Sequence, residues 1–159
     1  MRIGHGYDVH KIDPGKKSLI LSGVEIHCGF GLAAHSDGDV LLHAVTDALL
    51  GAAGLEDIGR LFPDTDEAYR DISSVILLRE ALRKIRSKGF EIEYVDVTVV
   101  AQRPKLAGYI QEMRTVLADS MDVPRERCNI KATTEEGLGF TGRGEGIAAH
   151  AVCLLSEKQ

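Results

Sequence analysis

Glu91-Ile92-Glu93-Tyr94-Val95-Asp96-Val97-Thr98-Val99-Val100-Ala101 begins as an alternating segment and ends as an almost continuous apolar run. Alternation puts successive side chains on opposite faces of a strand, and the apolar finish marks a central strand. The neighbouring segments arrange themselves around it. Upstream, Ser73 to about Ser87 repeats apolar residues at helical spacing and stops at Lys88-Gly89, which predicts an amphipathic helix. Further upstream, Val40, Leu41, Ala44, Val45, Ala48, Leu49 and Ala52 recur three and four apart. That spacing predicts a helix from about Gly38 to Ala53, capped by Ser36 or Asp37. Leu19-Ile20-Leu21 and Val24-Glu25-Ile26 flank Ser22-Gly23 as a short hairpin. Arg2 to His10 reads as a strand weakened by Gly4 and Gly6. Downstream, Pro104 ends the central strand, and a third helix is expected from Leu106 to Met121. Cys128 to Thr133 is a short strand, Gly137 to Gly146 a loop or distorted strand, and Ile147 to Leu155 a buried strand. The order predicts an α/β sandwich, one mixed sheet with about three helices on one face.

The 159 residues, 44% hydrophobic and 27% charged, suit a single domain spanning 1–159. A net charge of −5 argues against a nucleic-acid partner, and with no Trp, four Tyr and four Phe there is no stacking ladder. The apolar runs fall far short of the ~20 residues a membrane span needs. Met1-Arg2-Ile3-Gly4-His5 has no signal-peptide character. Cys28, Cys128 and Cys153 are odd in number, widely spaced and outside any CxxC pair, which fits a reducing cytoplasm.

Five of the six histidines fall within the first 43 residues. In Asp8-Val9-His10 a carboxylate and an imidazole share one face of a strand, because residues two apart project together. His43 lies opposite the apolar stripe of its predicted helix, with Asp39 one turn before it and Asp47 one turn after. Either carboxylate can accept the second ring N–H and fix the tautomer, although the same spacing also describes a solvated polar face. Together Asp8, His10 and His43 offer two nitrogens and one carboxylate oxygen, a set that leaves the fourth position of a tetrahedral catalytic zinc open. The nitrogen donors favour Zn²⁺ over Mg²⁺. Spacing alone does not bring residue 43 to residues 8 and 10.

Asp57-Ile58-Gly59-Arg60-Leu61-Phe62-Pro63-Asp64-Thr65-Asp66 reads either as an ordinary Pro-Asp turn or as a clamp using Asp57 or Asp64 to hold substrate hydroxyls. The glycines from 137 to 146 read either as a turn region or as an anion nest beside Arg143. Thr133-Thr134-Glu135-Glu136 precede them, offering hydroxyl donors for phosphate and carboxylates for a hard cation. Neither a P-loop nor a dinucleotide fingerprint is present.

These motifs together resemble the 2-C-methyl-D-erythritol 2,4-cyclodiphosphate synthase family of the non-mevalonate isoprenoid pathway. The matching stretches are Arg2 to His10, Ala34-His35-Ser36-Asp37-Gly38-Asp39-Val40, His43 to Gly51, Asp57-Ile58-Gly59 and Phe62 to Asp66. Ala101 to Leu106, Lys131-Ala132-Thr133-Thr134 and Leu138 to Gly146 continue them in family order. The resemblance implies one zinc ion per chain on Asp8, His10 and His43, with Asp8, His10, His35 and Ser36 also among the substrate-binding residues. It implies that His35 and Thr134 stabilise the reacting phosphates. Asp57, Ile58, Gly59, Phe62, Pro63, Asp64, Thr65 and Asp66 would hold the methylerythritol part. Ala101, Gln102, Arg103, Pro104, Lys105, Leu106, Ala107 and Thr133 would hold the cytidine and its phosphates. Counting back from Leu138-Gly139-Phe140, Glu136 takes the place of the acid that holds Mg²⁺ or Mn²⁺. Glu135, Phe140 and Arg143 complete the implied substrate set.

The resemblance further implies a homotrimer with sites between subunits, zinc and Asp57–Asp66 coming from one chain and Lys105 and Thr133–Glu136 from the next. Two residues depart from the family pattern: Glu135 stands where a third Thr or another polar residue is common, and Tyr7 replaces a common Phe. The implied reaction is that of a phosphorus–oxygen lyase, in which the 2-phosphate of a CDP-linked methylerythritol attacks the β-phosphorus and releases CMP. Two competing readings are a zinc-dependent phosphoesterase and a non-catalytic isoprenoid-diphosphate sensor using Arg143 and Glu145.

Overall fold

The computed structural model describes residues 1–63 and 65–158. Seven strands are β1 (Arg2–Asp13), β2 (Ser18–Leu21), β3 (Val24–His27), β4 (Gly31–Leu32), β5 (Phe90–Val100), β6 (Cys128–Thr133) and β7 (Gly146–Glu157). Five helices are α1 (Val40–Ala53), α2 (Ile58–Leu61), α3 (Ser74–Ser87), α4 (Ile110–Met121) and α5 (Gly139–Gly142), with 3₁₀ turns at Glu67–Tyr69 and Arg125–Arg127. The main sheet has the order β4-β1-β7-β5-β6, parallel only between β5 and β6. The expected mixed sheet is therefore present, but β2 and β3 form a separate two-stranded ribbon. Two one-turn helices add to the three long ones: α2 lies inside the segment expected to be a turn, and α5 inside the glycine-rich stretch.

The central strand carries a local irregularity that sequence alternation does not reveal. Phe90 and Ile92 face the core, then a bulge between Ile92 and Tyr94 switches phase so that Val95, Val97 and Val99 face it. One extra residue flips every later side chain to the other face. Without it Tyr94 and Asp96 would enter the core.

The glycines of β1 have a use beyond weakening the strand. A Cβ on Gly4 would lie 2.0 Å from the Ala48 carbonyl oxygen, and one on Gly6 would lie 1.9 Å from that of Ala44. Only glycine lets the α1 backbone approach β1 so closely. The strand continues past His10 to Asp13.

α1 is accordingly buried on nearly every side, including Leu42, Thr46 and Leu50, instead of showing the single stripe expected. Its other sides meet α3 and the β2–β3 ribbon. Its cap is Asp39, not Ser36 or Asp37, and the helix begins at Val40. The fully buried Asp39 carboxylate accepts the N–H groups of Leu42, Ser22 and Gly23 at 3.0, 2.9 and 2.6 Å, tying the ribbon's turn to the helix that carries His43. Burial raises its pKa to about 6 despite these donors. α4 starts at Ile110, four residues later than expected, because Leu106–Tyr109 form a turn.

The long helices pack on one face of the sheet around a core that includes Leu41, Leu49, Leu78, Leu82, Val97, Leu117 and Ala151. The other face is bare and partly apolar: Ile3, Tyr7, Val9, Tyr94 and Val152 are all exposed.

Candidate active site

β1 and α1 bring the three expected donors together. Asp8 Oδ2 lies 3.0 Å from His10 Nε2 and 3.0 Å from His43 Nδ1, and the two imidazole nitrogens are themselves 3.0 Å apart. His10 and Asp8 project side by side from the strand, and the glycine contact sets α1 at the distance that completes the triangle. A tetrahedral zinc with bonds of ~2.0–2.1 Å holds its ligand atoms about 3.3 Å apart. The triangle matches within a few tenths of an ångström, and its two nitrogens and one oxygen are a suitable donor set. Among the described residues this is the cluster able to hold a metal ion.

Burial pushes the Asp8 pKa up, but hydrogen bonds and charge from His10 and His43 outweigh it and hold the carboxyl at about 2. For His43 burial works against the cation, yet the Asp8 carboxylate prevails and its pKa is raised. Each residue thus favours the charged form of the other, and metal binding competes with protonation of His43.

The outer side of His43 departs from expectation. Neither Asp39 nor Asp47 accepts its second N–H: Asp39 caps α1, and Asp47 accepts the Ile58 N–H at 2.7 Å. A carboxylate one turn away on a helix can be claimed by backbone donors first. Instead Ser74 Oγ lies 2.9 Å and Ser36 Oγ 3.1 Å from His43 Nε2. No sequence signal marks Ser74, which sits at the start of α3 and reads as an ordinary helix-terminus serine.

The triad opens into a cavity of about 300 Å³ lined also by Ala34, His35, Ser36, Ile58, Gly59, Phe62, Tyr69 and Leu77. His35, Ser36, Ile58, Gly59 and Phe62 thus gather around the triad, together with Tyr69 and Leu77, which the sequence does not single out. His35 Nε2 lies 3.3 Å from the Asp66 carbonyl oxygen. The carboxylates of Asp57 and Asp66 both cap helices, accepting the N–H groups of Arg60 and Ala68. Asp64 lies outside the described residues; Pro63 and Thr65 are exposed beside it.

A second cavity, about 370 Å³, is lined by Ala101, Gln102, Pro104, Lys105, Leu106, Ala107, Thr133 and Thr134, among others. It shares no lining residue with the first, so within one chain His35 and Thr134 line different cavities. The Arg103 guanidinium is directed onto the Phe30 ring, 5.0 Å from its centroid, and precedes a cis peptide to Pro104. Beyond Thr134, the Glu135 carboxylate accepts the Thr141 hydroxyl proton. Glu136, at φ 54°, is exposed, and its carboxylate has no partner among the described residues. Phe140 lies with Val9, His10, Lys11, Glu145 and Gly146 around a third concavity, and Arg143 pairs with Glu145 at 2.7 Å.

Known proteins are similar to the chain over nearly its whole length. The YgbB family profile matches residues 1–156. A protein of Pectobacterium atrosepticum named 2-C-methyl-D-erythritol 2,4-cyclodiphosphate synthase is 58% identical over 159 residues, covering 100% of this chain and 96% of its own length. Among solved structures, the bifunctional IspDF from Campylobacter jejuni superposes with a TM-score of 0.94 at 48% identity, over 98% of this chain and 42% of that larger one. A Plasmodium falciparum IspF described in complex with CDP gives 0.87 at 36% identity, over 99% of this chain and 97% of its own. The chain belongs to the YgbB family, whose relatives include the 2-C-methyl-D-erythritol 2,4-cyclodiphosphate synthases.

Proposed function

We propose that the protein converts 4-diphosphocytidyl-2-C-methyl-D-erythritol 2-phosphate into 2-C-methyl-D-erythritol 2,4-cyclodiphosphate and CMP, as a phosphorus–oxygen lyase of isoprenoid precursor synthesis. The observation that carries this reading is the Asp8–His10–His43 triangle at the floor of a cavity, in a chain 58% identical to a synthase of that name. An oxygen of the 2-phosphate attacks the β-phosphorus. The bond from that phosphorus to the oxygen bridging the α-phosphate breaks, and CMP leaves with that oxygen. The nucleophile is already an anion, so the site must align and neutralise phosphates instead of activating a base.

Asp8, His10 and His43 would hold Zn²⁺, one per chain, and Glu136 would hold Mg²⁺ or Mn²⁺. Such cations supply charge neutralisation between approaching phosphates. His35 and Thr134 donate to the developing charge. Asp57, Ile58, Gly59 and the Phe62–Asp66 segment hold the methylerythritol hydroxyls, each capping carboxylate keeping one oxygen free of the cap. Lys105, Thr133 and the Ala101–Ala107 backbone hold the cytidine diphosphate. Folding the substrate so that its two ends meet raises their effective concentration.

The chain acts as one domain, 1–159, in a cytoplasmic homotrimer whose active sites lie between subunits. Support comes from the separation of the two cavities and from the bare apolar sheet face around Ile3, Val9 and Val152. The three cysteines are unpaired, which suits a reducing compartment. Incubation with the CDP-linked substrate and Mg²⁺ should yield equal amounts of CMP and a cyclic diphosphate. Simple hydrolysis would identify a phosphoesterase, and substrate bound without turnover would identify a sensor.

A further inference from the structure

We propose that His5 and His150 form a second transition-metal site, on the face of the sheet opposite the Asp8–His10–His43 triad. It is a pair, not a cluster of three donors. His5 Nε2 lies 3.4 Å from His150 Nδ1, a long separation for a hydrogen bond between rings. Two nitrogens on a tetrahedral ion with bonds of ~2.0–2.1 Å stand about 3.3 Å apart, so the pair spans one edge of such a site. Neither ring has another hydrogen-bond partner among the described residues. The other four histidines are engaged: His10 and His43 in the triad, His27 with the Ser18 hydroxyl and His35 with the Asp66 carbonyl.

The strands hold the pair in place. β1 and β7 pair antiparallel without a break from Arg2 opposite Leu155 to Lys11 opposite Gly146, and His150 stands opposite Tyr7. His5, two residues before Tyr7, is therefore a diagonal neighbour of His150 on the same face, a span that long side chains bridge. The Tyr7 ring lies 4.8 Å from that of His150 and limits its swing. Asp8 and His10 have the other parity along β1 and project toward His43 on α1, so the sheet separates the two sites. The donors here are nitrogens alone, because Asp96, the β5 carboxylate on this face, is held by Lys131 and Asn129. Two imidazoles without a carboxylate favour Zn²⁺, Co²⁺, Ni²⁺ or Cu²⁺ over Mg²⁺. Water fills the remaining positions, so the site is complete within one chain. Exposed Ile3 and Val152 flank the pair, which puts a bound ion on the face where subunits are proposed to meet.

The inference does not rest on the proposed reaction, and equilibrium dialysis of the full chain against Zn²⁺ tests it. The ion is supplied during refolding as well as to folded protein, so that assembly cannot shield the pair. The wild type should take up one equivalent per chain beyond that of the triad, and excess Mg²⁺ should not displace it. His5→Gln and His150→Gln should each lose this equivalent and keep the other. Both histidines are exposed in the single chain, so neither change removes buried packing. His10→Gln should lose the triad's zinc and keep this one, and in that variant Zn²⁺ should shift the imidazole ¹⁵N signals of His5 and His150 together. His27→Gln, at another exposed histidine, should lose nothing. Zinc uptake unchanged in both the His5 and His150 variants, or imidazole signals of the pair that Zn²⁺ leaves in place, would overturn the site and leave only a hydrogen bond between two rings. A wild type holding a single equivalent, removed by His5→Gln and kept by His10→Gln, would sink the metal reading of the triad while this site stands.

Discussion

Gly6→Ala tests the link between fold and site with a single methyl group. Its Cβ would stand 1.9 Å from the Ala44 carbonyl oxygen, 2.7 Å from the Ala48 nitrogen and 2.9 Å from the Ala44 carbonyl carbon. All three are backbone atoms of α1, so no side chain can rotate away. Reaching even a tight contact of about 3 Å requires α1 to retreat from β1 by about 1 Å, and overpacking of this kind costs ~1–3 kcal/mol. Ala44 follows His43 directly, so the imidazole moves with it while Asp8 and His10 stay on the strand. Two edges of the 3.0 Å triangle then open toward about 4 Å, past the ~3.3 Å of a tetrahedral site. Urea unfolding of the metal-free protein should show a lower midpoint, and chelator competition a loss of metal affinity of about 10-fold or more. Gly51→Ala is the control: its Cβ meets nothing within 4 Å, and it should stabilise α1 by about 0.5–1 kcal/mol. A Gly6→Ala protein with unchanged midpoint and unchanged affinity would refute the view that close β1–α1 contact sets the ligand triangle.

Metal retention should fall as pH is lowered through the raised pKa of His43, because a protonated imidazole cannot ligate; dialysis followed by metal analysis reads this directly. The metal-free protein has a second, more acidic window at Asp8. Its depressed pKa contributes stability above the unfolded value of about 3.9, lost as pH falls toward about 2, and acid titration of the unfolding midpoint follows it. Glu136→Gln should blunt the Mg²⁺ response of CMP release far more than Glu135→Gln, since Glu135 is already engaged with Thr141; the reverse ranking would reassign the acid. If sites are shared, Asp8→Ala and Lys105→Ala should each be nearly inactive as pure trimers. An equal co-refolded mixture should recover about a quarter of wild-type activity, since about three-quarters of random trimers are mixed and each mixed trimer keeps one intact interface of three. No recovery, with mixed trimers verified by mass spectrometry, would place each site within one chain.

Residue periodicity alone was enough for α3 and for β7, since those elements place a repeating apolar face against a neighbour. The side-by-side projection of Asp8 and His10 was equally legible, because it depends only on the two-residue period of a strand. Where periodicity is interrupted or contacts are distant, the sequence was silent. The bulge in β5 depends on pairing with β7, so alternation through Glu93 and Tyr94 misplaces the later side chains. Asp39 and Asp47 stand one helical turn from His43, yet each is claimed by backbone N–H groups from other segments, a competition that local spacing cannot register. Ser74 reaches His43 from 31 residues away and Asp37 from 37 residues away, through the packing of α3 on α1. Local chemistry named the donors. Their convergence came from how closely two glycines let a helix approach a strand, and the hydroxyl behind His43 from the packing of α3 on α1.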